Sequence, residues 1–181
     1  MISLFKNLKR QKKEPDIVIR EAKVKDAKSI VKLLNSIGKE KVYIVSESFN
    51  WTEEEERQLI KNLDRTKDLI LVADYGGEIV GCLTLFRYYG GRSPKVQHIG
   101  EIGISVDARF RNRGIGTRLF EEAIKWAKSR GYEKLCLSVF STNEVAIHLY
   151  KKFGFIEEGR RKKQFKIGDE YVDEVLMGLF L

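Results

Sequence analysis

Two glycines between a strand pattern and a helix pattern mark the first part of this sequence that could do chemistry. The segment covers residues 106–117 and contains Gly114 and Gly116. Glycine lets the backbone come close to a ligand, and the N–H groups at a helix start converge on negatively charged oxygens. The segment therefore predicts a phosphate-binding turn, to which Arg111 and Arg113 add charged donors.

Two common nucleotide-binding loops do not fit this turn. A Walker loop needs Gly-Lys-Ser or Gly-Lys-Thr, whereas Gly116 is followed by Thr117 and Arg118. The dinucleotide-binding fingerprint needs a third glycine, which is missing. Taken alone, the Gly-x-Gly pattern is equally consistent with a tight structural turn between a strand and a helix.

A second segment, Asn143 to Phe155, has the spacing of a helix followed by a turn. At about 100° per residue, Asn143, Ala146 and Tyr150 share one helical face. A separate row is apolar and packs against a core: Val145, Leu149 and Phe153. The first face is free to line a ligand, and a buried structural tyrosine is the alternative interpretation.

Together the two segments resemble the GNAT superfamily of N-acetyltransferases. The acetyl-coenzyme A (acetyl-CoA) signature of that family is Arg or Gln, two residues, Gly, one residue, and Gly or Ala, and it is matched by residues 111–116. The later Asn, Ala, Leu-Tyr and Gly-Phe pattern of the family is matched by residues 143–155. Because both motifs occur in order, the resemblance predicts an acetyl-CoA-dependent N-acetyltransferase.

The resemblance implies a role for each matched residue. The turn would wrap the pyrophosphate of coenzyme A, and the strand before it would pair its main chain with the pantetheine arm, beside a second strand that splays away. Asn143 would hydrogen-bond the pantetheine region. The cofactor-binding residues implied in this way are Ile104, Ser105, Val106, Arg111, Asn112, Arg113, Gly114, Ile115, Gly116, Thr117, Asn143, Ala146 and Tyr150.

Acetyl transfer needs a neutral amine, but an alkyl amine with a pKa near 10 is almost wholly protonated at neutral pH. Family members often carry a base on the strand before the turn, so the resemblance implies Glu101 as catalytic base, with a surface ion pair as the alternative. The amine would attack directly in a ternary complex, with an N–H near Val106 stabilising the oxyanion and Tyr150 protonating the departing thiolate. A route through Cys136 is disfavoured because no adjacent side chain would lower its pKa.

The acceptor is predicted only as a primary amine: a protein N-terminus, an amino acid or a small amine. In this family, residues 39–51, 90–97 and 166–171 would frame the acceptor mouth. Three aromatic residues are candidates for its walls or for caps on the core: Tyr43, Phe49 and Trp51.

The 181 residues fit one domain, and 43% hydrophobic with 33% charged residues exclude a disordered or membrane-spanning chain. Of the net charge of +8, residues 1–13 hold +5. We therefore predict a basic tail at 1–15 and an N-acetyltransferase domain at 16–181, with no specific nucleic-acid partner. A nucleic-acid-binding protein and a non-catalytic acyl-CoA-binding regulator are the competing hypotheses.

Cysteine and histidine use points to an intracellular protein without a metal. Cys82 and Cys136 lie in apolar runs typical of reduced core thiols. His98 and His148 have no metal-ligand spacing with other residues. The N-terminus has no secretory apolar region, so a cytoplasmic location without a transmembrane segment is expected, and a homodimer stays open.

Periodicity predicts an α/β fold with a central, twisted mixed sheet flanked by about four helices, as in the GNAT fold. The predicted order is β, α, α, β, β, β, α, β, α, β, β. The predicted strands cover 16–20, 69–73, 79–86, 98–106, 135–140, a start at 155, and 175–179 after a turn near 168–169. The predicted helices cover 26–38, a start at 52, 114–130 and 142–153.

Overall fold

A computed structural model describes residues 16–40 and 51–181 of the chain, and the predicted order of elements is confirmed there. The predicted tail at 1–15, Tyr43 and Phe49 lie outside the described residues. The helices are α1 (Ala27–Gly38), α2 (Glu53–Asn62), α3 (Ile115–Ser129) and α4 (Glu144–Lys152). The strands are β1 (Ile17–Glu21), β2 (Leu69–Tyr75), β3 (Glu78–Arg87), β4 (Ile99–Val106), β5 (Lys134–Phe140), β6 (Ile156–Ile167) and β7 (Glu170–Phe180).

The seven strands form one mixed sheet in the order β1-β2-β3-β4-β5-β7-β6. Neighbouring strands are antiparallel except for β4 and β5, which run parallel. The sheet therefore has one parallel junction at its centre, which the βαβ unit through α3 makes. The expected α/β mixed sheet with four helices is confirmed.

Strand alternation divides the core between the two faces of the sheet. On one face α3 and α4 cover a core that includes Leu83, Leu85, Ile102, Leu119, Phe120 and Leu135. On the other face α1 and α2 cover a second core that includes Ile30, Leu33, Ile60, Ile70 and Val72. The sheet thus separates an α3 side, covered by α3 and α4, from an α1 side, covered by α1 and α2. Both α1 and α3 contact β4.

Local sequence sets where helices start. The Thr52 hydroxyl accepts the Glu55 N–H at 3.1 Å, and the Glu55 carboxylate accepts the Thr52 N–H at 2.7 Å, so the predicted capping box is confirmed. Gly114 precedes α3 with φ of 75°, a left-handed conformation that favours glycine. The turn before α3 therefore depends on this glycine.

The final hairpin turns at residues 168–169, as predicted, and joins β6 to β7. β6 is the edge strand, and its side chains are exposed on both faces. Two register shifts also interrupt its pairing with β7.

Candidate active site

The parallel junction opens into a gap. β4 and β5 are in register only at Ile99 with Lys134, Gly100 with Leu135, and Glu101 with Cys136. Beyond Glu101, β4 continues to Val106 with β3 as its described partner. The edge of residues 102–106 that faces β5 therefore has no described strand partner, which is the arrangement that the family resemblance implies.

The predicted phosphate-binding turn lies at the end of this open edge. The first bond of α3 runs from the Arg118 N–H to the Gly114 carbonyl at 3.1 Å, and the N–H groups before it have no partner within a helix of this geometry. These N–H groups belong to residues 115–117, where the positive end of the helix dipole adds to them. This geometry is the one expected of the phosphate-binding turn that the sequence predicts.

The two predicted motifs meet at Gly116. A Cβ on this residue would lie 3.0 Å from Leu149 Cδ2 on α4, a tight contact, so α4 packs closely against the start of α3 at this glycine. Asn143 caps α4 because its Oδ1 accepts the Ala146 N–H at 3.2 Å. The structure therefore brings the second motif against the phosphate-binding turn, with the Asn143 oxygen used in the cap.

The two arginines of the turn behave differently. Arg113 is exposed, and its guanidinium lies 5.1 Å from the ring centroid of Phe110. Arg111 instead donates from Nε to the Val106 carbonyl at 3.1 Å and from both terminal nitrogens to the Glu40 carboxylate at 2.7 Å each. The structure thus shows Arg111 engaged with the end of β4, a contact that the sequence did not predict.

Tyr150 is only 7% exposed and lies on α4, with its ring centroid 5.5 Å from that of Phe120. Burial raises the pKa of its hydroxyl to about 12. The hydroxyl is therefore protonated at neutral pH, which is the state needed to donate a proton.

Glu101 is exposed and belongs to the last registered pair before the gap. Its partner Cys136 has a thiol pKa raised to about 11, by burial first and then by the negative charge of Glu101. Register partners share one face of a sheet, so both side chains lie on the α1 side with Phe86, the partner of Glu101 on β3. Since the Cys136 thiol is protonated at neutral pH, it is a poor nucleophile.

A second carboxylate lies beside this pair and was missed in the sequence. Glu158 is the extra residue at a register shift of β6, and its carboxylate covers Gly178, where a Cβ would come within 2.6 Å of Oε2. Gly178 is the partner of Cys136 on β7. Lys134 donates to Glu158 at 2.7 Å. No sequence signal could have shown this cluster, because it depends on register and on a bulge.

Of the three aromatic residues that are candidates for the acceptor walls, Trp51 lies within the described residues. Trp51 is exposed and donates from its indole N–H to Glu56 at 2.8 Å. With Leu59 and Phe86 it lines a groove of about 520 Å³ between α2 and the end of β3. Because Phe86 is the neighbour of Glu101 across the strands, the groove and Glu101 lie on the same side of the sheet.

The described ranges contain neither a metal-binding cluster nor a membrane-spanning helix. No three His, Cys, Asp or Glu side chains within 16–40 and 51–181 are grouped to hold a metal ion. None of the helices described is long and apolar enough to cross a membrane. Cys82 and Cys136 are both free thiols, as predicted.

Comparison with known sequences gives one family and a close relative. The model of the Acetyltransferase (GNAT) family matches residues 37–155. The L-amino acid N-acetyltransferase AaaT of Escherichia coli (strain K12) is 38% identical over 111 residues. That alignment covers 59% of this chain and 65% of AaaT, so the chain spans slightly less than two thirds of this relative.

Comparison with solved structures gives the same fold. An acetyltransferase of the GNAT family from Streptococcus pneumoniae has a TM-score of 0.84 and 32% identity, over 92% of this chain and 99% of that one. The acetyltransferase yncA from Salmonella typhimurium, described with its cofactor acetyl-CoA, has a TM-score of 0.82 over 91% and 94% of the chains. At 19% identity the latter shows the fold alone. With the family model, the fold and both motifs in agreement, the chain belongs to the acetyltransferase (GNAT) family.

Proposed function

We propose that this protein transfers the acetyl group of acetyl-CoA to the α-amino group of an L-amino acid, by direct attack in a ternary complex. The observation that carries the proposal is the gap that opens immediately beyond Glu101 and Cys136. It has a phosphate-binding turn at one end and a carboxylate at the other. A thioester held in this gap is accessible to an amine from the α1 side.

Acetyl-CoA fits the α3 side of the gap. The N–H groups of residues 115–117 suit its diphosphate, and the open edge of residues 102–106 suits the amides of its pantetheine arm. The candidate contacts are thus those expected from the resemblance, except that Arg111 contributes through the end of β4.

The amine must lose a proton before it attacks. Glu101 is placed to accept that proton, directly or through a water molecule, because it is the exposed carboxylate at the start of the gap. The amine nitrogen then bonds to the thioester carbonyl carbon, and the negative oxygen that forms is stabilised by a main-chain N–H near Val106. Glu101 thus removes the positive charge that would prevent attack.

Collapse of the tetrahedral intermediate breaks the bond between carbon and sulfur and releases a thiolate. The Tyr150 hydroxyl donates its proton to that sulfur, and a pKa of about 12 keeps the proton on the phenol at neutral pH until the thiolate forms. The tyrosine recovers its proton from solvent when coenzyme A leaves. Since the Cys136 thiol is protonated at neutral pH, an acetyl-cysteine intermediate has no support.

Two observations support an amino acid as the acceptor. The relative AaaT is named an L-amino acid N-acetyltransferase. On the α1 side, the exposed Glu101 offers a carboxylate to an ammonium group, and the ion pair of Lys134 with Glu158 lies beside it. This arrangement of opposite charges suits a zwitterion better than a simple amine.

The test is an acceptor screen that measures release of the free thiol of coenzyme A. L-amino acids should be acetylated faster than the corresponding amino acid amides, which lack the carboxylate. Faster acetylation of amides or of N-terminal peptides would contradict the amino acid assignment while keeping the transferase. Saturable binding of acetyl-CoA without turnover on any amine would favour the non-catalytic regulator.

A further inference from the structure

The first residue of the acetyl-CoA signature is held by a partner far away in the chain. Arg111 and Glu40 are 71 positions apart, and two charged hydrogen bonds of 2.7 Å join them side by side. The third contact of the guanidinium runs from Nε to the Val106 carbonyl. One side chain thus ties the last residue of β4 to a carboxylate on the α1 side.

Glu40 is held by the packed C-terminal end of α1. It is the second residue after α1, and its N–H donates to the Ile37 carbonyl at 3.0 Å, which continues the end of the helix as a turn. Ile37 itself is buried in the core beneath α1. The Glu40 carboxylate is therefore presented from a packed helix end, and the side chains of Glu40 and Arg111 are only 29% and 27% exposed.

The contact between Arg111 and Val106 matters because Val106 lies in the part of β4 that no longer pairs with β5. Its registered partner is Gly81 on β3, and pairing with β5 ended at Glu101. A strand end held on one edge can twist, and the Arg111 bond restricts it by fixing the direction of the Val106 carbonyl. A bidentate pair between a guanidinium and a carboxylate fixes the orientation of the guanidinium plane.

We propose that Glu40 is a positioning residue that acts through Arg111 to align the end of β4 for binding acetyl-CoA. The inference rests on the proposed function, since the aligned strand is the one that would receive the pantetheine arm. It differs from a direct role for Arg111 as a phosphate ligand, because the guanidinium is directed to Glu40 and Val106.

The two roles predict opposite signs for one substitution. If Glu40 positions the strand, Glu40→Gln loses part of the bidentate contact and weakens acetyl-CoA binding. If Glu40 instead withholds Arg111 from the diphosphate, the same substitution frees a cation and strengthens binding. Calorimetric titration of the full chain with acetyl-CoA gives the sign without any acceptor.

We expect Glu40→Gln to weaken acetyl-CoA binding about tenfold, within the range for residues of one hydrogen-bond network. The matched control is Glu78→Gln, which breaks an ion pair of 2.6 Å to Arg109. Arg109 precedes the same turn but donates to Glu78 and Asp107 and not to the end of β4. The control should bind acetyl-CoA as the wild type does.

A double-mutant cycle tests whether Glu40 acts through Arg111. Glu40→Gln should have no further effect on binding when Arg111→Gln is already present. An equal effect in both backgrounds, or binding by Glu40→Gln as tight as or tighter than the wild type, would overturn the inference. Melting temperatures near that of the wild type would separate positioning from loss of the fold.

The same titrations separate this inference from the proposed function. Wild-type protein that binds acetyl-CoA, together with an unaffected Glu40→Gln variant, refutes only the role of Glu40. Wild-type protein that shows no binding refutes the proposed function, and the inference with it. A rise in the KM for acetyl-CoA larger than the fall in kcat is the kinetic result expected of a positioning residue.

Discussion

The two sides of the gap between β4 and β5 offer different kinds of chemical group to a ligand. On the α3 side the candidate ligands are main-chain groups: the N–H groups of residues 115–117 and the open edge of residues 102–106. On the α1 side the candidate groups are side chains from three strands: Glu101, Lys134 and Glu158. A main-chain site can bind the same cofactor in many relatives, whereas side chains can change with the acceptor.

The largest effect should come from Tyr150, on the α3 side of the sheet. Tyr150→Phe removes the proton donor to the leaving thiolate, and kcat should fall by about 10²- to 10⁴-fold. Because the pKa of Tyr150 is raised to about 12, the wild-type rate should show no loss from its ionisation up to about pH 10. Acetyl-CoA binding by Tyr150→Phe should stay near the wild-type value in calorimetry. A variant with wild-type kcat would remove Tyr150 from the chemistry.

The next largest effect belongs to the α1 side. Glu101→Gln removes the proposed base, and kcat near neutral pH should fall by about 10²-fold. The loss should shrink as the pH rises, because the amine loses its proton to solvent and needs the base less. A pH series of initial rates with the best acceptor checks this. A loss that is constant across the series would point to a structural role for Glu101.

The α3 side can be tested with two glycines of the same conformation. Gly114 and Gly131 lie at opposite ends of α3 with φ of 75° and 79°, and neither has an atom within 4 Å of an added Cβ. Alanine at either position should lower the free energy of unfolding by about 1 kcal/mol, through backbone strain. Only Gly114→Ala should also weaken acetyl-CoA binding. Equal weakening by both variants would mean that strain anywhere in α3 disturbs the site.

The smallest effect is expected at Cys136, on the α1 side. Cys136→Ser should acetylate amines at close to the wild-type rate, since a thiol with a pKa of about 11 carries no acetyl group at neutral pH. Alkylation of Cys136 by iodoacetamide should become about tenfold faster with each pH unit and level off only near pH 11, because the thiolate is the reactive form. Abolished turnover in Cys136→Ser, with binding retained, would revive a covalent intermediate.

The sequence predicted the α3 side far better than the α1 side. Gly114 and Gly116 have fixed positions in a local motif, because each answers a requirement of the backbone at one place. The order of strands and helices followed from periodicity in the same local way. The ion pair of Arg111 with Glu40 depends instead on how α1 crosses the sheet. No sequence pattern near either residue indicates that pair.

The long hairpin shows a second limit of the sequence. The start of β6 and the turn at 168–169 were predicted, but an edge strand with two exposed faces has no apolar period that would show which residues face the core. The bulge that turns Glu158 over Gly178 is a consequence of register with β7, which a single sequence does not reveal. The groups on the α1 side could therefore be identified only from the structure, whereas those on the α3 side could be predicted from the spacing of residues in the sequence.

The most direct test of the whole account is a crystal structure of the protein with acetyl-CoA. The account predicts the diphosphate within hydrogen-bond distance of the N–H groups of residues 115–117, and the thioester in the gap between Glu101 and Tyr150. A structure with the diphosphate bound elsewhere, and β4 and β5 closed against each other beyond Glu101, would contradict it.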